Sequence, residues 1–196
     1  MTPTLETARL LLRPYEPPDR AAFVALFTDA VVMRHVDRGA LDEEGADKLF
    51  WRVFTHVYDA RAFDVWAVFE KQGGAYAGHA ELKPRRDERA RPGDVEIVYV
   101  LGRAQWGRGL ATELARSIVA HARSASPGAR VCATVAPENA ASVRVLEKIG
   151  MGYVEEFEDE GGRTLVYAVG GASVEAAPAQ ERDEDEEDGE RRRHGG

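Results

Sequence analysis

The chain has 196 residues, 44% of them hydrophobic, and a formal net charge of −8. That length suits one domain with a real core, and an acidic body argues against nucleic-acid binding through a broad basic face. No run approaches the roughly 20 apolar residues of a membrane span, and the single cysteine, Cys132, excludes an internal disulfide framework.

The N-terminus lacks a basic region followed by a long apolar stretch, which points to the cytoplasm. Ala8 to Arg13 reads as a first strand, closed by Pro14. Pro17-Pro18-Asp19 opens a helix that continues through Ala22, Phe23, Leu26 and Phe27. Met33 to Val36 reads as an irregular connection. A second helix is expected from Asp42 to about Tyr58, with Ala46, Leu49, Phe50 and Val53 on its apolar face. Asp64 to Glu70 is β-branched and aromatic, a second strand, and Gln72-Gly73-Gly74 turns it into a third, Ala75 to Leu82. Pro84 to Gly93 is polar and proline-flanked, hence a surface loop.

The fourth strand, Val95 to Leu101, runs into Trp106-Gly107-Arg108-Gly109-Leu110-Ala111. A helix of residues 109–123 follows, with Leu110, Leu114, Ile118 and Val119 on one face. Strand, glycine turn and helix together aim bare backbone N–H groups and a positive helix pole at one point, a place suited to a phosphate or pyrophosphate. The turn is not a P-loop, since no Lys-Ser or Lys-Thr follows. Nor is it a dinucleotide fingerprint, since Glu113 stands where a third glycine would be. Taken alone, such a turn is equally a tight strand-to-helix connection.

Arg130 to Val135 is a fifth strand, with Cys132 as a buried strand cysteine. Asn139 caps the next helix, whose stripe is Val143, Leu146 and Ile149 and whose end is Gly150. Gly152 to Glu158 and Arg163 to Val169 are two more strands, joined by Glu160-Gly161-Gly162. Beyond Gly171 the composition changes: residues 172–196 hold nine acidic side chains against four arginines and no aromatic residue. The expected organisation is a folded domain of residues 1–171 and a disordered acidic tail of residues 172–196. The fold expected is α/β: a mixed, mostly antiparallel seven-stranded sheet with helices on both faces. Its strand–helix–strand crossovers make some central strands parallel.

The order of elements, the Trp106-Gly107-Arg108-Gly109-Leu110-Ala111 turn and the Asn139…Ser142…Lys148-Ile149-Gly150 helix resemble the GNAT superfamily of acetyl-CoA-dependent N-acetyltransferases. Leu5-Glu6-Thr7-Ala8-Arg9-Leu10, with Leu12-Arg13, and Glu96 to Leu101 before a Trp-Gly-x-Gly turn look like its RimJ/RimL-type branch. The likeness runs from about Leu5 to Val169. It implies the acyl-CoA N-acyltransferase fold, in which the fourth and fifth strands splay to admit the pantetheine arm. It implies that the amides of Gly107, Arg108, Gly109, Leu110 and Ala111, beside Trp106, hold the pyrophosphate of acetyl-CoA. Backbone N–H groups near Val100 then polarise the acetyl carbonyl, and Val98, Asn139 and Ser142 also belong to the cofactor slot. Acetyl-CoA is the co-substrate implied, with no metal.

The implied reaction is direct attack of an amine on the thioester. A free α-amino group has a pKa of about 7.7–8.0, so a proton must be removed. Glu96, on the fourth strand beside the slot, is the expected base, with Glu81 and His79 as rivals. Many members carry a tyrosine late in the last helix to protonate the thiolate, but Leu146-Glu147-Lys148-Ile149-Gly150 has none. The acceptor expected is a protein N-terminus or a small-molecule amine, walled by residues 30–60, 84–93 and the final hairpin. Asp37, Glu43, Glu44 and Asp59 are the carboxylates placed to greet it. Neither membrane nor nucleic acid is expected as a partner, and the chain reads as a monomer or homodimer. The alternative is a catalytically silent GNAT-fold protein that binds coenzyme A or works through its acidic tail.

Overall fold

In a computed structural model that describes residues 2–36, 39–159 and 162–171, the strands join one eight-stranded sheet. They are β1 (Leu5–Glu6), β2 (Leu10–Arg13), β3 (Asp64–Glu70), β4 (Tyr76–Pro84), β5 (Val95–Leu101), β6 (Arg130–Val135), β7 (Gly152–Asp159) and β8 (Gly162–Gly170). Their order across the sheet is β1-β2-β3-β4-β5-β6-β8-β7, and every pairing is antiparallel except β5 with β6.

The eighth strand corrects the expected count of seven. β1 has only two residues, pairing Leu5 with Leu12 and Glu6 with Leu11, too short for alternation to show in sequence. A short helix, Ala30–Met33, also precedes the expected irregular connection, started by Asp29, whose carboxylate accepts from the Val31 N–H at 2.9 Å. The acidic tail of residues 172–196 lies outside the described residues, as do Glu160 and Gly161.

The helices are α1 (Arg20–Phe27), α2 (Ala30–Met33), α3 (Glu43–Arg52), α4 (Leu110–Ala125) and α5 (Ala140–Lys148). The second expected helix is thus α3 followed by a wider π-helical segment, Val53–Tyr58. The Tyr58 hydroxyl anchors that segment, donating to Val65 C=O at 2.9 Å and accepting from Tyr15 N–H at 2.8 Å. Both faces of the sheet are covered, which is why β3 reads as an unbroken apolar run. Trp66 and Val68 join the core under α4 and α5; Val65 and Ala67 join the core under α1 to α3. Along α4, Leu110, Leu114, Ala115, Ile118 and Ala122 are buried at helical spacing. No helix among the described residues is long and apolar enough to cross a membrane.

One break in the sheet matters most. β5 and β6 pair only at Val95 with Val131 and Glu96 with Cys132. Beyond those residues the strands run on, to Leu101 and Val135, without pairing. On its other side β5 stays zipped to β4 throughout. Gly78 permits this closeness: a Cβ there would lie 2.1 Å from the Val100 carbonyl oxygen.

Candidate active site

The open end of the V faces the connection from β5 to α4. Gly107 and Gly109 both take the left-handed conformation, with φ of +71° and +76°, and Gly109 is the N-cap of α4 without a side-chain cap. Among the described residues, the N–H groups of Gly107, Arg108, Gly109 and Leu110 have no hydrogen-bond acceptor. The loop is held from outside instead. Arg108 turns away and donates to Glu70 at 2.8 and 2.6 Å, and Gln105 donates to the same carboxylate at 3.1 Å. The Arg108 hydrogen bonds hold the Glu70 carboxyl below the usual range. Glu113, in the first turn of α4, accepts from the Thr7 hydroxyl at 2.6 Å, the Arg9 N–H at 2.8 Å and Arg9 Nε at 2.7 Å. Arg9 in turn donates from Nη1 to the Arg108 carbonyl at 2.8 Å. Trp106 is 43% exposed and its indole N–H is tied to the Leu101 carbonyl at 2.8 Å.

The bracing roles of Glu70, Arg9 and Glu113 escaped the sequence reading. The only signal was Glu113 in the first helical turn, where a carboxylate suits the helix pole; its partners lie about a hundred residues away.

The hydrogen-bond phase of β5 settles which backbone groups face the slot. Arg85 N–H donates to Asp94 C=O and Gly102 N–H to Ala77 C=O, each at 3.0 Å, at the two ends of the β4–β5 ladder. In that register the bonded pairs are Lys83 with Glu96, Glu81 with Val98 and His79 with Val100. The N–H groups of Val98 and Val100 therefore turn to β4. Those of Ile97, Tyr99 and Leu101 turn toward β6: Ile97 closes the paired stretch against Cys132, and Tyr99 and Leu101 face the gap. The donors near Val100 that face the gap are thus those of Tyr99 and Leu101.

A cleft of about 830 Å³ fills the gap and the adjoining face of the sheet. It brings Glu96, Val98, Val100, Asn139 and Ser142 together; Trp106 to Ala111 are not part of its wall. Asn139 Oδ1 accepts from the Ser142 N–H at 3.2 Å, so its capping role is realised and its amide side still borders the cleft. Tyr99 also lines the cleft, and its buried hydroxyl has no hydrogen-bond partner. Burial pushes that hydroxyl up to about 12, against a smaller downward pull from neighbouring Ser142.

On the α1–α3 face the cleft floor is polar. His79, Glu81 and Lys83 alternate along β4, and Glu96 lies opposite Lys83 on β5. Glu96, 13% exposed, accepts from the Thr134 hydroxyl at 2.6 Å through one oxygen and has Lys83 Nζ at 3.8 Å from the other. Lys83 Nζ is also 3.5 Å from Glu81. Glu81 accepts from His79 Nε2 at 3.0 Å. Burial works against its ionisation, but the His79 hydrogen bond and Lys83 outweigh it and hold the carboxyl below the usual range.

The expected acceptor walls are present in part. Arg34, His35 and Val36, then Arg86 and Asp87, then Arg163 and Thr164 line the cleft. α3 does not, so Glu43 and Glu44 are not cleft carboxylates, nor is Asp59; Asp37 lies outside the described residues. The carboxylates of the cleft are Glu81, Asp87, Glu96 and Glu138. The loop of residues 84–93 is also less exposed than its composition implies: Arg85 is buried and paired with Asp87.

A family model described as an acetyltransferase (GNAT) domain matches residues 9–152. The uncharacterized protein YkkB of Bacillus subtilis (strain 168) is 30% identical over 150 residues, covering 76% of this chain and 85% of that protein. A GNAT-family acetyltransferase from Bacillus anthracis has the same fold, with a TM-score of 0.72 at 24% identity over 85% of this chain and 98% of its own. So does the spermidine N-acetyltransferase of Vibrio cholerae, solved in complex with CoA and spermine, with a TM-score of 0.70 at 18% identity over 83% and 96%.

Proposed function

The chain belongs to the GNAT acetyltransferase family, and from that premise we propose that a primary amine attacks the thioester of acetyl-CoA directly, with Glu96 taking up its proton. The protein is an acetyl-CoA-dependent acetyltransferase. The observation that carries the finer reading is the parting of β5 from β6 immediately past Glu96.

The residues around that gap suit the carrier. The N–H groups of Gly107 to Leu110 lack acceptors, and they sit at the positive pole of α4. A pyrophosphate supplies acceptors, and glycines at 107 and 109 keep the approach clear. In the slot, the edge N–H groups of Tyr99 and Leu101 and the orphaned Tyr99 hydroxyl are donors awaiting polar partners. Acetyl-CoA, once bound, supplies the acetyl group as a thioester. A backbone N–H aimed at the acetyl oxygen stabilises charge that develops there. Asn139 and Ser142 border the same slot. Glu96 stands where the strands part, with one oxygen occupied by Thr134 and the other turned to Lys83. That second oxygen is the one free to accept the amine's proton.

The acceptor is a protein N-terminus or a small-molecule amine, entering over the α1–α3 face, where Glu81 and Glu96 form the floor. The test is an acceptor screen: thiol release from acetyl-CoA with a panel of primary amines and N-terminal peptides, products read by mass. A mass increase of one acetyl group on an amine supports the reading. Acetyl-CoA binding without release with any acceptor overturns it.

A further inference from the structure

Behind the cleft floor lies a chain of polar side chains that acetyl transfer as derived above does not use. His79 is 4% exposed at its side chain and sits edge-on to the rings of Phe23 and Phe27, at 5.7 and 5.2 Å between centroids. Its Nδ1 is 3.0 Å from the Tyr15 hydroxyl, which is 2.8 Å from the Tyr76 hydroxyl. Its Nε2 is 3.0 Å from Glu81. We propose that Glu81 is the carboxylate that holds the acceptor as an ammonium ion, and that His79 is its positioning residue. This inference rests on the acetyl-transfer reading, in which Glu96 then removes the proton.

The direction of the hydrogen bonds follows from the groups at its ends. An ionised Glu81 only accepts, so Nε2 carries a proton. Nδ1 then accepts from Tyr15, and the Tyr15 oxygen accepts from Tyr76. With Nδ1 unprotonated, this arrangement satisfies all four groups. Burial raises both tyrosine hydroxyls, so they stay protonated and serve as donors. The chain's work is geometric: it fixes the imidazole, and the imidazole fixes one oxygen of Glu81, leaving the other toward the cleft.

That free side already meets an ammonium. Lys83 Nζ stands 3.5 Å from Glu81 and 3.8 Å from Glu96. These are loose contacts, longer than a charge-assisted hydrogen bond, so a better-seated ammonium can displace the lysine. The floor therefore selects acceptors that arrive positively charged.

The experiment uses the full chain and the primary amine that wild type turns over fastest in the acceptor screen. His79→Leu, which fills the aromatic pocket but donates nothing, is expected to raise the acceptor KM about tenfold while the acetyl-CoA KM stays unchanged. His79→Gln, which keeps an N–H near the Nε2 position, recovers most of that loss. In a Glu81→Gln background, His79→Leu adds no further increase. An unchanged acceptor KM in His79→Leu overturns the proposal, as does an equal rise in the Glu81→Gln background. If His79→Leu does not fold, Tyr15→Phe removes the donor to Nδ1, together with the acceptor of the Tyr76 hydroxyl, and should raise the same KM two- to fivefold; no rise overturns the proposal. Nitrogen-15 NMR of His79 in the wild-type chain reads the tautomer without any acceptor. A proton on Nε2 supports the assignment, and a ring protonated at Nδ1 alone overturns it. Absence of thiol release with every amine is a failure of the acetyl-transfer reading instead, which the NMR result does not share.

Discussion

Gly109→Glu separates the proposed phosphate-cradle role of the glycine loop from its structural role. The backbone at Gly109 has φ of +76°, and a Cβ placed there meets only Arg9 Nη2, at 3.7 Å. Space is therefore not the obstacle, and the left-handed conformation costs about 1–2 kcal/mol in a non-glycine residue. For a chain of this size, that lowers Tm by roughly 2–8 °C. Binding should suffer far more. A new carboxylate about 4 Å from a bound phosphate charge repels it by roughly 4 kcal/mol at an effective dielectric constant of about 20. Screening at an exposed loop reduces that, and a loss of about 2–3 kcal/mol corresponds to a roughly 30- to 150-fold weaker Kd. Gly109→Ala is the control, because it carries the backbone cost without the charge. It should bind coenzyme A within a few-fold of wild type. Isothermal titration calorimetry with coenzyme A, alongside thermal melts, reads both quantities. If Gly109→Glu is folded and binds coenzyme A as wild type does, the loop does not cradle the pyrophosphate.

Three further outcomes are expected. Glu96→Gln should lower kcat about 100-fold with little change in acetyl-CoA affinity; a pH–rate profile matching wild type would remove Glu96 as the base. Lys83→Met should lower the KM for a cationic acceptor severalfold by vacating the space between Glu81 and Glu96, and steady-state kinetics showing a raised KM would make Lys83 part of the binding surface instead. The third concerns acid stability. Burial opposes ionisation of Asp94, but its ion pair with Arg130 and the Arg91 N–H at 2.9 Å outweigh it and depress its folded-state pKa. A depressed carboxyl stabilises the fold fully above the unfolded value of about 3.9 and loses that contribution as pH falls through the folded one. Wild-type Tm should therefore fall on acidification below about pH 5, and Asp94→Asn should start lower at pH 7 and fall less steeply; parallel Tm curves would refute this.

The elements of the site were legible because each is written locally. Val95 to Leu101 and Arg130 to Val135 announce themselves as strands by β-branched runs, and both match the structure at their ends. Gly107 and Gly109 mark the loop because only glycine takes its left-handed turns cheaply. Asn139 announces its cap through a contact three residues long. Such signals need only neighbouring residues, so the sequence by itself determined the strand–loop–helix order and the likeness to acetyl-CoA enzymes.

What only the tertiary structure decided involves partners far apart in the chain or a phase set across a ladder. Which N–H groups of β5 face the gap depends on its register with β4, and a one-residue slip would exchange Val98 for Tyr99. The brace from Arg9 to Glu113 spans 104 positions, the bond from Thr134 to Glu96 spans 38 and the one from Tyr15 to His79 spans 64. No periodicity encodes these pairings. They arise when two apolar cores fix the faces of the sheet and so bring His79, Glu81 and Glu96 to one floor.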